Sequence, residues 1–182
     1  MRPSAALVLL ALAGCAGGGG LEAGSAGPST TRLETGGGAF EITAARNERV
    51  ATHDVLAPAD RVWAALPAAY RAVGLEGGVV SQGERVFGTP PMRSRGRLAG
   101  ERAARFLNCG SNPIGAPAAN MYDLEATVRT AVRTNPDGTT RLELRVEAVA
   151  APPAGGTRAQ CTSTRVLEDL IATQVRRIVG GA

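Results

Sequence analysis

Apolar and polar residues alternate over two long stretches in the second half of the chain, one on each side of Asn135-Pro136-Asp137-Gly138. The alternation predicts two half-buried strands. The tetrapeptide predicts a type I turn, with proline preset at its second position and glycine free to take a positive φ. A loop of three residues in this turn would set Arg133 opposite Arg141 and Arg129 opposite Arg145. The odd-numbered residues of both strands would then share the solvent face.

An amphipathic helix is predicted ahead of these strands. It follows a short alternating strand at 49–56. Apolar residues recur at helical spacing over 62–73, and Gly74 stands where a C-cap is needed. Pro67 removes one backbone donor from this helix, so we expect a kink or a break near Leu66.

A second amphipathic helix is predicted at the end of the chain. Ser163 or Thr164 would supply its N-cap, Glu168 and Asp169 lie near its positive end, and Gly180 stops it. Its stripe consists of Leu167, Leu170, Ile171, Gln174, Val175 and Ile178. Because a short helix is stable only when such a stripe is covered, we expect it to lie on the sheet.

The remaining segments complete the fold class. Residues 75–102 predict short strands interrupted by Pro90-Pro91, and 103–120 predict a helical turn followed by a long loop. The element order is strand, helix, several antiparallel strands and helix. We therefore predict an α+β fold with an antiparallel sheet of about four to six strands, a first helix after strand 1 and a long C-terminal helix packed on the sheet.

The N-terminus has the pattern of an export signal. Arg2 precedes a continuous apolar run, 5–13, which as a helix would span about 13 Å, far less than the roughly 30 Å of a bilayer core. The run ends in Leu12-Ala13-Gly14-Cys15, which resembles the lipobox of bacterial lipoproteins. That resemblance implies removal of residues 1–14 and attachment of acyl chains such as palmitate to Cys15. The alternative is a general signal peptide that happens to be cleaved near a cysteine.

Three regions follow from this interpretation. Residues 1–14 are the signal peptide, and 15–38 are the lipidated cysteine and a flexible tether rich in glycine and serine. Residues 39–182 are one globular domain. Ala16 follows the cysteine, where an aspartate would favour inner-membrane retention, so the resemblance favours the periplasmic side of the outer membrane.

Charge excludes one class of partner. The formal net charge is +4, and arginines alternate with acidic residues over much of the chain. This pattern argues against a nucleic-acid surface.

Two cysteines remain beyond the lipobox, Cys109 and Cys161. An even pair in an exported protein predicts a disulfide. Zinc is the alternative, but two distant cysteines and one remote His53 do not make a four-ligand site. We expect no metal and no cofactor.

The first helix carries a further resemblance. Arg61-Val62-Trp63-Ala64-Ala65-Leu66, with Ala72-Val73-Gly74-Leu75 after it, is similar to the helix that follows the first strand in helix-grip domains of the BamC type. The element order of 48–180 agrees with such domains. The resemblance implies no catalytic residues.

Candidate catalytic residues are few. His53 is the only histidine, and it adjoins Asp54 on the predicted first strand. Adjacent strand residues point to opposite faces, so the two side chains cannot form a catalytic pair. We therefore expect a structural or exposed histidine and no enzyme activity.

Arginines form the one candidate binding surface. They are predicted to lie on exposed strand faces, with Arg93, Arg95 and Arg97 sharing one face of a strand. Glu125, Glu143 and Glu147 lie near enough on diagonals to neutralise them, so a charge lattice and an anion-binding site both remain open. The arginines of this surface are Arg93, Arg95, Arg97, Arg129, Arg133, Arg141 and Arg145.

Three functions are consistent with these features. The first is a non-catalytic cell-envelope lipoprotein, held at the membrane by its N-terminal lipid, whose domain binds an envelope protein or assists envelope assembly. The second is a domain that binds a small apolar or amphipathic ligand in a cleft between sheet and helix, where Ala126, Thr130 and Ala148 leave room. An enzyme would need convergent titratable groups, which the sequence does not indicate. We expect the first.

Overall fold

The computed structural model describes residues 29–35, 38–44 and 50–181. β1 (Ser29–Thr35) and β2 (Gly38–Ala44) pair antiparallel in a unit separate from the rest. β1 falls within the range predicted as tether, and β2 opens the range predicted as domain. Cys15 and the predicted signal peptide lie outside the described residues, so their assignment stays a prediction.

The second unit has the predicted α+β fold. It contains β3 (Ala51–Val55), α1 (Ala59–Ala72), β4 (Gly78–Ser81), β5 (Val86–Gly88), β6 (Met92–Arg95), β7 (Arg97–Leu98), β8 (Glu101–Arg102), β9 (Leu107–Asn108), β10 (Asp123–Thr134), β11 (Thr140–Ala151), β12 (Ala159–Ser163) and α2 (Val166–Gly180). Short 3₁₀ turns occupy Ala103–Arg105 and Ala118–Asn120. Neither described helix is long and apolar enough to cross a membrane.

The long hairpin of β10 and β11 is the centre of the sheet. Its pairs run from Asp123 opposite Ala151 to Thr134 opposite Thr140, which confirms the predicted register. The turn is closed by Asn135, whose N–H donates to the Thr139 carbonyl at 2.8 Å and whose carbonyl accepts from the Gly138 N–H at 3.0 Å. Gly138 has φ of 81°, as the turn type requires.

Short strands extend this hairpin on both sides. The outer edge of β10 pairs with β5 and β6, placed end to end, and the outer edge of β11 pairs with β3 and β12 in the same way. β4 then adds to β5 and β9 adds to β12. The sheet therefore contains eight strands but is six strands wide along its path, β4-β5-β10-β11-β12-β9. β7 and β8 pair separately.

Both helices cover the even-numbered face of the hairpin. Along β10 and β11 the even-numbered residues are buried except Thr134 at the end of β10, whereas the odd-numbered ones are half-buried or exposed. α1 contacts β10 and α2, and α2 contacts β11 and β3. Phe87 of β5 lies between two aromatic rings of α1, 4.9 Å from Tyr70 and 6.3 Å from Trp63 between centroids. Aliphatic and alanine side chains provide most of the remaining core.

Pro67 does not break α1. We expected a kink or a break near Leu66; the helix is continuous from Ala59 to Ala72, so the break is wrong. Leu66, Ala69 and Tyr70 are all buried beside the proline, and tertiary packing of this face outweighs the loss of one backbone hydrogen bond. The predicted end of α1 before Gly74 is confirmed.

The C-cap of α1 follows the predicted glycine. Gly74 has φ of 78°. Leu75 donates its N–H to the Tyr70 carbonyl at 3.0 Å, and Gly74 donates to the Arg71 carbonyl at 3.0 Å. This pattern is typical of a Schellman C-cap.

The start of α2 differs from the prediction. Neither Ser163 nor Thr164 caps the helix, which begins after Arg165 in a left-handed conformation with φ of 71°. The Ser163 hydroxyl accepts from the Arg165 N–H at 2.9 Å, and the Thr164 hydroxyl donates to the Arg105 carbonyl at 2.7 Å. Both side chains thus secure the connection from β12 instead of the helix terminus.

Candidate interaction surface

The face of the sheet opposite the helices carries the predicted arginines. We call it the outer face: the odd-numbered residues of β10 and β11, together with Arg93 and Arg95 of β6. Register places Arg129 opposite Arg145 and Arg133 opposite Arg141, as predicted. Directly opposed like charges destabilise a sheet unless other groups neutralise them.

Acidic side chains neutralise most of these arginines. Arg133 Nε lies 3.5 Å from Glu143 Oε2, and Arg145 Nη1 lies 3.5 Å from Glu147 Oε1. Arg141 Nε is 3.6 Å from Asp54 Oδ1. The side chains are partly or largely exposed, and each such pair contributes about 0–1 kcal/mol. Their main effect is to leave the face with alternating charge.

Arg129 is the exception on the hairpin. Within the described residues it forms no ion pair. Its side chain lies beside Arg145 in a shallow groove of about 110 Å³, which Val86, Ala131 and Glu143 also line. This site is too small for more than a few atoms.

At the far end of the face, two arginines share one acid. Glu125 Oε2 lies 3.6 Å from Arg93 Nη2 and 3.7 Å from Arg158 Nη2. Arg95 Nε is 3.6 Å from Asp123 Oδ1. Arg158, in the loop before β12, was not predicted to belong here, because its place depends on how β12 returns to β11.

Arg97 does not join this surface. The expectation that it shares a strand face with Arg93 and Arg95 is wrong, because β6 ends at Arg95 and the chain bends at Gly96. Gly96 has φ of 65°, and a Cβ there would lie 2.3 Å from the Asn120 carbonyl oxygen. Arg97 belongs to β7, and its Nη2 donates to the Gly100 carbonyl.

A groove follows the end of the outer face. Its volume is about 380 Å³, and it is open to solvent. Val149 and Ala151 of β11 form an apolar strip beside the Arg93–Glu125–Arg158 group. It is lined by Arg93, Ser94, Asp123, Leu124, Glu125, Val149, Ala151 and Arg158.

Between sheet and helices, side chains fill the space where a ligand cleft was considered. Ala126, Thr130 and Ala148 are at most 3 % exposed. The Thr130 hydroxyl lies 2.8 Å from the Tyr70 hydroxyl of α1. Burial raises the pKa of Tyr70 well above its ordinary value, and the hydrogen bond to Thr130 opposes this effect only in part.

His53 and Asp54 point to opposite faces, as expected. His53 lies on the helix side, where its Nε2 is 3.3 Å from Asp169 Oδ1 of α2, and Asp54 pairs with Arg141 on the outer face. No group of three or more His, Cys, Asp or Glu residues in the described part of the chain is placed to hold a metal ion.

Cys109 and Cys161 form a disulfide, with 4.1 Å between their Cα atoms and 52 positions between them in sequence. The predicted bond is confirmed. It joins the residue after β9 to the middle of β12, and both cysteines are buried.

Glu168 is a feature that the sequence interpretation missed. The sequence places it near the positive end of α2, but the residue is only 1 % exposed, and its Oε2 has no hydrogen-bond partner among the described residues. Helical spacing contains the signal, because Ala172 and Val175 lie four and seven positions further along the same buried face.

No known protein family matches the chain, and no curated protein is significantly similar to it.

Proposed function

We propose that this chain is a lipid-anchored lipoprotein of a bacterial cell envelope, whose domain binds a protein partner and catalyses no reaction. The lipobox at Leu12 to Cys15 supports the anchor. Each buried acyl methylene contributes about 0.8 kcal/mol, so several chains hold a protein stably at a membrane. Ala16 after the cysteine favours the periplasmic side of the outer membrane.

The disulfide supports the compartment. Disulfides form and persist in the periplasm and other oxidising spaces, whereas cytosolic thiols are kept reduced. Cys109 and Cys161 are buried in the hydrophobic core, which is typical of a structural bond and not of a catalytic thiol pair.

The groove on the outer face is the structural feature that supports protein binding. It combines an apolar strip, Val149 and Ala151, with exposed Arg93 and Arg158. Interfaces between proteins are enriched in arginine and have a polar rim around a less polar centre. An open groove with charged walls suits a polypeptide segment better than a small apolar molecule. The cleft between sheet and helices gives less support to a ligand, because side chains fill it.

Intact mass tests the anchor. The protein is purified from its native membrane fraction and weighed with and without reductant. We expect a chain that begins at Cys15 and carries added acyl mass, and reduction should add the mass of one opened disulfide. A Cys15→Ser variant should lack the acyl mass. An unmodified chain that still begins at Met1 contradicts the proposal.

Photo-crosslinking tests the partner. A photoreactive amino acid replaces Val149 at the groove, and cells are irradiated intact. We expect a discrete protein adduct that Arg158→Glu abolishes. Arg141→Glu is the matched control, since it reverses a charge on the same face outside the groove. Absence of an adduct, or equal loss with both charge reversals, contradicts binding at the groove.

A further inference from the structure

Two segments without charged side chains lie at one end of the domain. No charged residue lies between Leu107 and Asp123, and none lies between Glu147 and Arg158. Asp123 begins β10 and pairs with Ala151, the last residue of β11. The two uncharged segments, 108–122 and 152–157, therefore meet the sheet at the same end, opposite the turn. We call them the uncharged end.

The first of these segments forms a braced loop with an apolar tip. Asn112 organises it: its side-chain oxygen accepts from the Ile114 and Ala116 N–H groups at 3.2 and 2.8 Å, and its own N–H donates to the Ala116 carbonyl at 2.8 Å. The disulfide fixes the base of the loop at Cys109. Ile114 is left 83 % exposed at the tip, and Met121 is 48 % exposed. A preorganised loop loses little conformational entropy on docking.

Exposed arginines lie at the same end of the sheet as this loop. The side chains of Arg93, Arg95 and Arg158 are 81, 62 and 61 % exposed. Their ion-pair partners among the described residues are Asp123 and Glu125, two acids for three cations, so this group keeps a positive charge. An apolar surface bordered by basic residues complements the anionic headgroups of a lipid bilayer.

We propose that the uncharged end rests on the lipid bilayer, with Ile114 in the interface and Arg93, Arg95 and Arg158 against anionic headgroups. This docking rests on the proposed lipid anchor. It orients the domain with the turn at Pro136 away from the membrane and the groove at its edge.

Tryptophan quenching tests the orientation. Trp63 is the only tryptophan and supplies the baseline. Ile114→Trp and the control Leu56→Trp are made in the full chain, purified with its acyl chains and reconstituted into vesicles of phosphatidylethanolamine, phosphatidylglycerol and brominated phosphatidylcholine. Leu56 is 91 % exposed and follows β3 at the opposite end. We expect the emission added by Ile114→Trp to be largely lost and that added by Leu56→Trp to be retained.

The outcomes separate the two proposals. Intact mass of the same sample reports acylation. An acylated chain with no quenching in Ile114→Trp, or with equal quenching in both variants, overturns the docking and leaves the anchor standing. A protein partner that covers this end instead of lipid would give the first of these results. If the chain is not acylated, the anchor fails, and the same vesicles are added to the soluble protein. Quenching must still favour Ile114→Trp, or the docking is overturned as well.

Discussion

The hydrogen bond between Tyr70 and Thr130 offers a direct test of how α1 is held on the sheet. The two hydroxyl oxygens are 2.8 Å apart, and the residues are 1 and 0 % exposed. Removing either hydroxyl leaves the other buried without a partner, which costs about 1–3 kcal/mol. Tyr70→Phe keeps the ring, whose centroid lies 4.9 Å from that of Phe87. We therefore expect Tyr70→Phe to lower the free energy of unfolding by about 1–3 kcal/mol.

The double variant makes this expectation specific. Thr130→Val alone should also cost about 1–3 kcal/mol, because it leaves the tyrosine hydroxyl unpaired. Combining Tyr70→Phe with Thr130→Val replaces both polar groups by apolar ones of similar shape, which is nearly neutral. The sum of the two single effects should therefore exceed the double effect by about 2 kcal/mol or more, which is the coupling energy of the pair.

Urea denaturation of the oxidised protein measures all four states of this cycle. Tyr122→Phe is the control, because Tyr122 is half-buried and forms no hydrogen bond through its hydroxyl to any described residue. It should change stability by about 0.5 kcal/mol or less. If the two single losses in the free energy of unfolding were additive, the reasoning would be refuted, because additivity means that the two hydroxyls do not interact.

The pH dependence of Tyr70 provides a second readout. Burial raises its pKa above the ordinary value of 10.0. Its contribution to stability is fully present below pH 10 and is lost as the pH rises toward the pKa of the folded state. Tyr70→Phe should therefore flatten the fall in stability above pH 10, and an unchanged fall would contradict this expectation.

Three further perturbations test other parts of the fold. Replacing Cys109 and Cys161 by alanine should lower stability by about 4 kcal/mol from chain entropy, read as a shift of the urea midpoint; an unchanged midpoint would contradict it. Two hydrogen bonds from Thr139 lower the pKa of Asp137, so its contribution is present above the ordinary pKa and lost as pH falls through the folded value. Asp137→Asn should therefore weaken the acid dependence of thermal unfolding, and an identical acid limb would refute this. Glu168→Met should raise the melting temperature, because it removes a buried oxygen without a partner; a clear decrease would show that the carboxylate has a stabilising contact.

Local patterns predicted the hairpin because the residues that determine its strands and its turn are close together in sequence. Alternation defined β10 and β11, and the chemistry of 135–138 set the register that aligned Arg133 with Arg141. The disulfide was predicted from an even pair of cysteines and the pattern of an export signal. These features need no knowledge of the rest of the fold.

Predictions failed where contacts between residues far apart in sequence determine the local structure. Pro67 stays within α1 because buried neighbours hold the helix against the sheet. Arg97 leaves its expected strand because Gly96 packs against Asn120, which is far along the chain. Arg158 joins the groove only once β12 pairs with β11. Each outcome depends on tertiary packing that periodicity does not encode.

The disulfide between Cys109 and Cys161 encloses β10, β11 and both loops of the uncharged end in one covalent ring. α1 precedes this ring, and α2 follows it. A protease that cuts once at any point within the ring therefore opens it without releasing a fragment. The nicked chain should keep its full apparent size on a non-reducing gel and separate into two pieces only with reductant. The exposed loops of this domain can thus be cleaved while its two parts remain covalently joined.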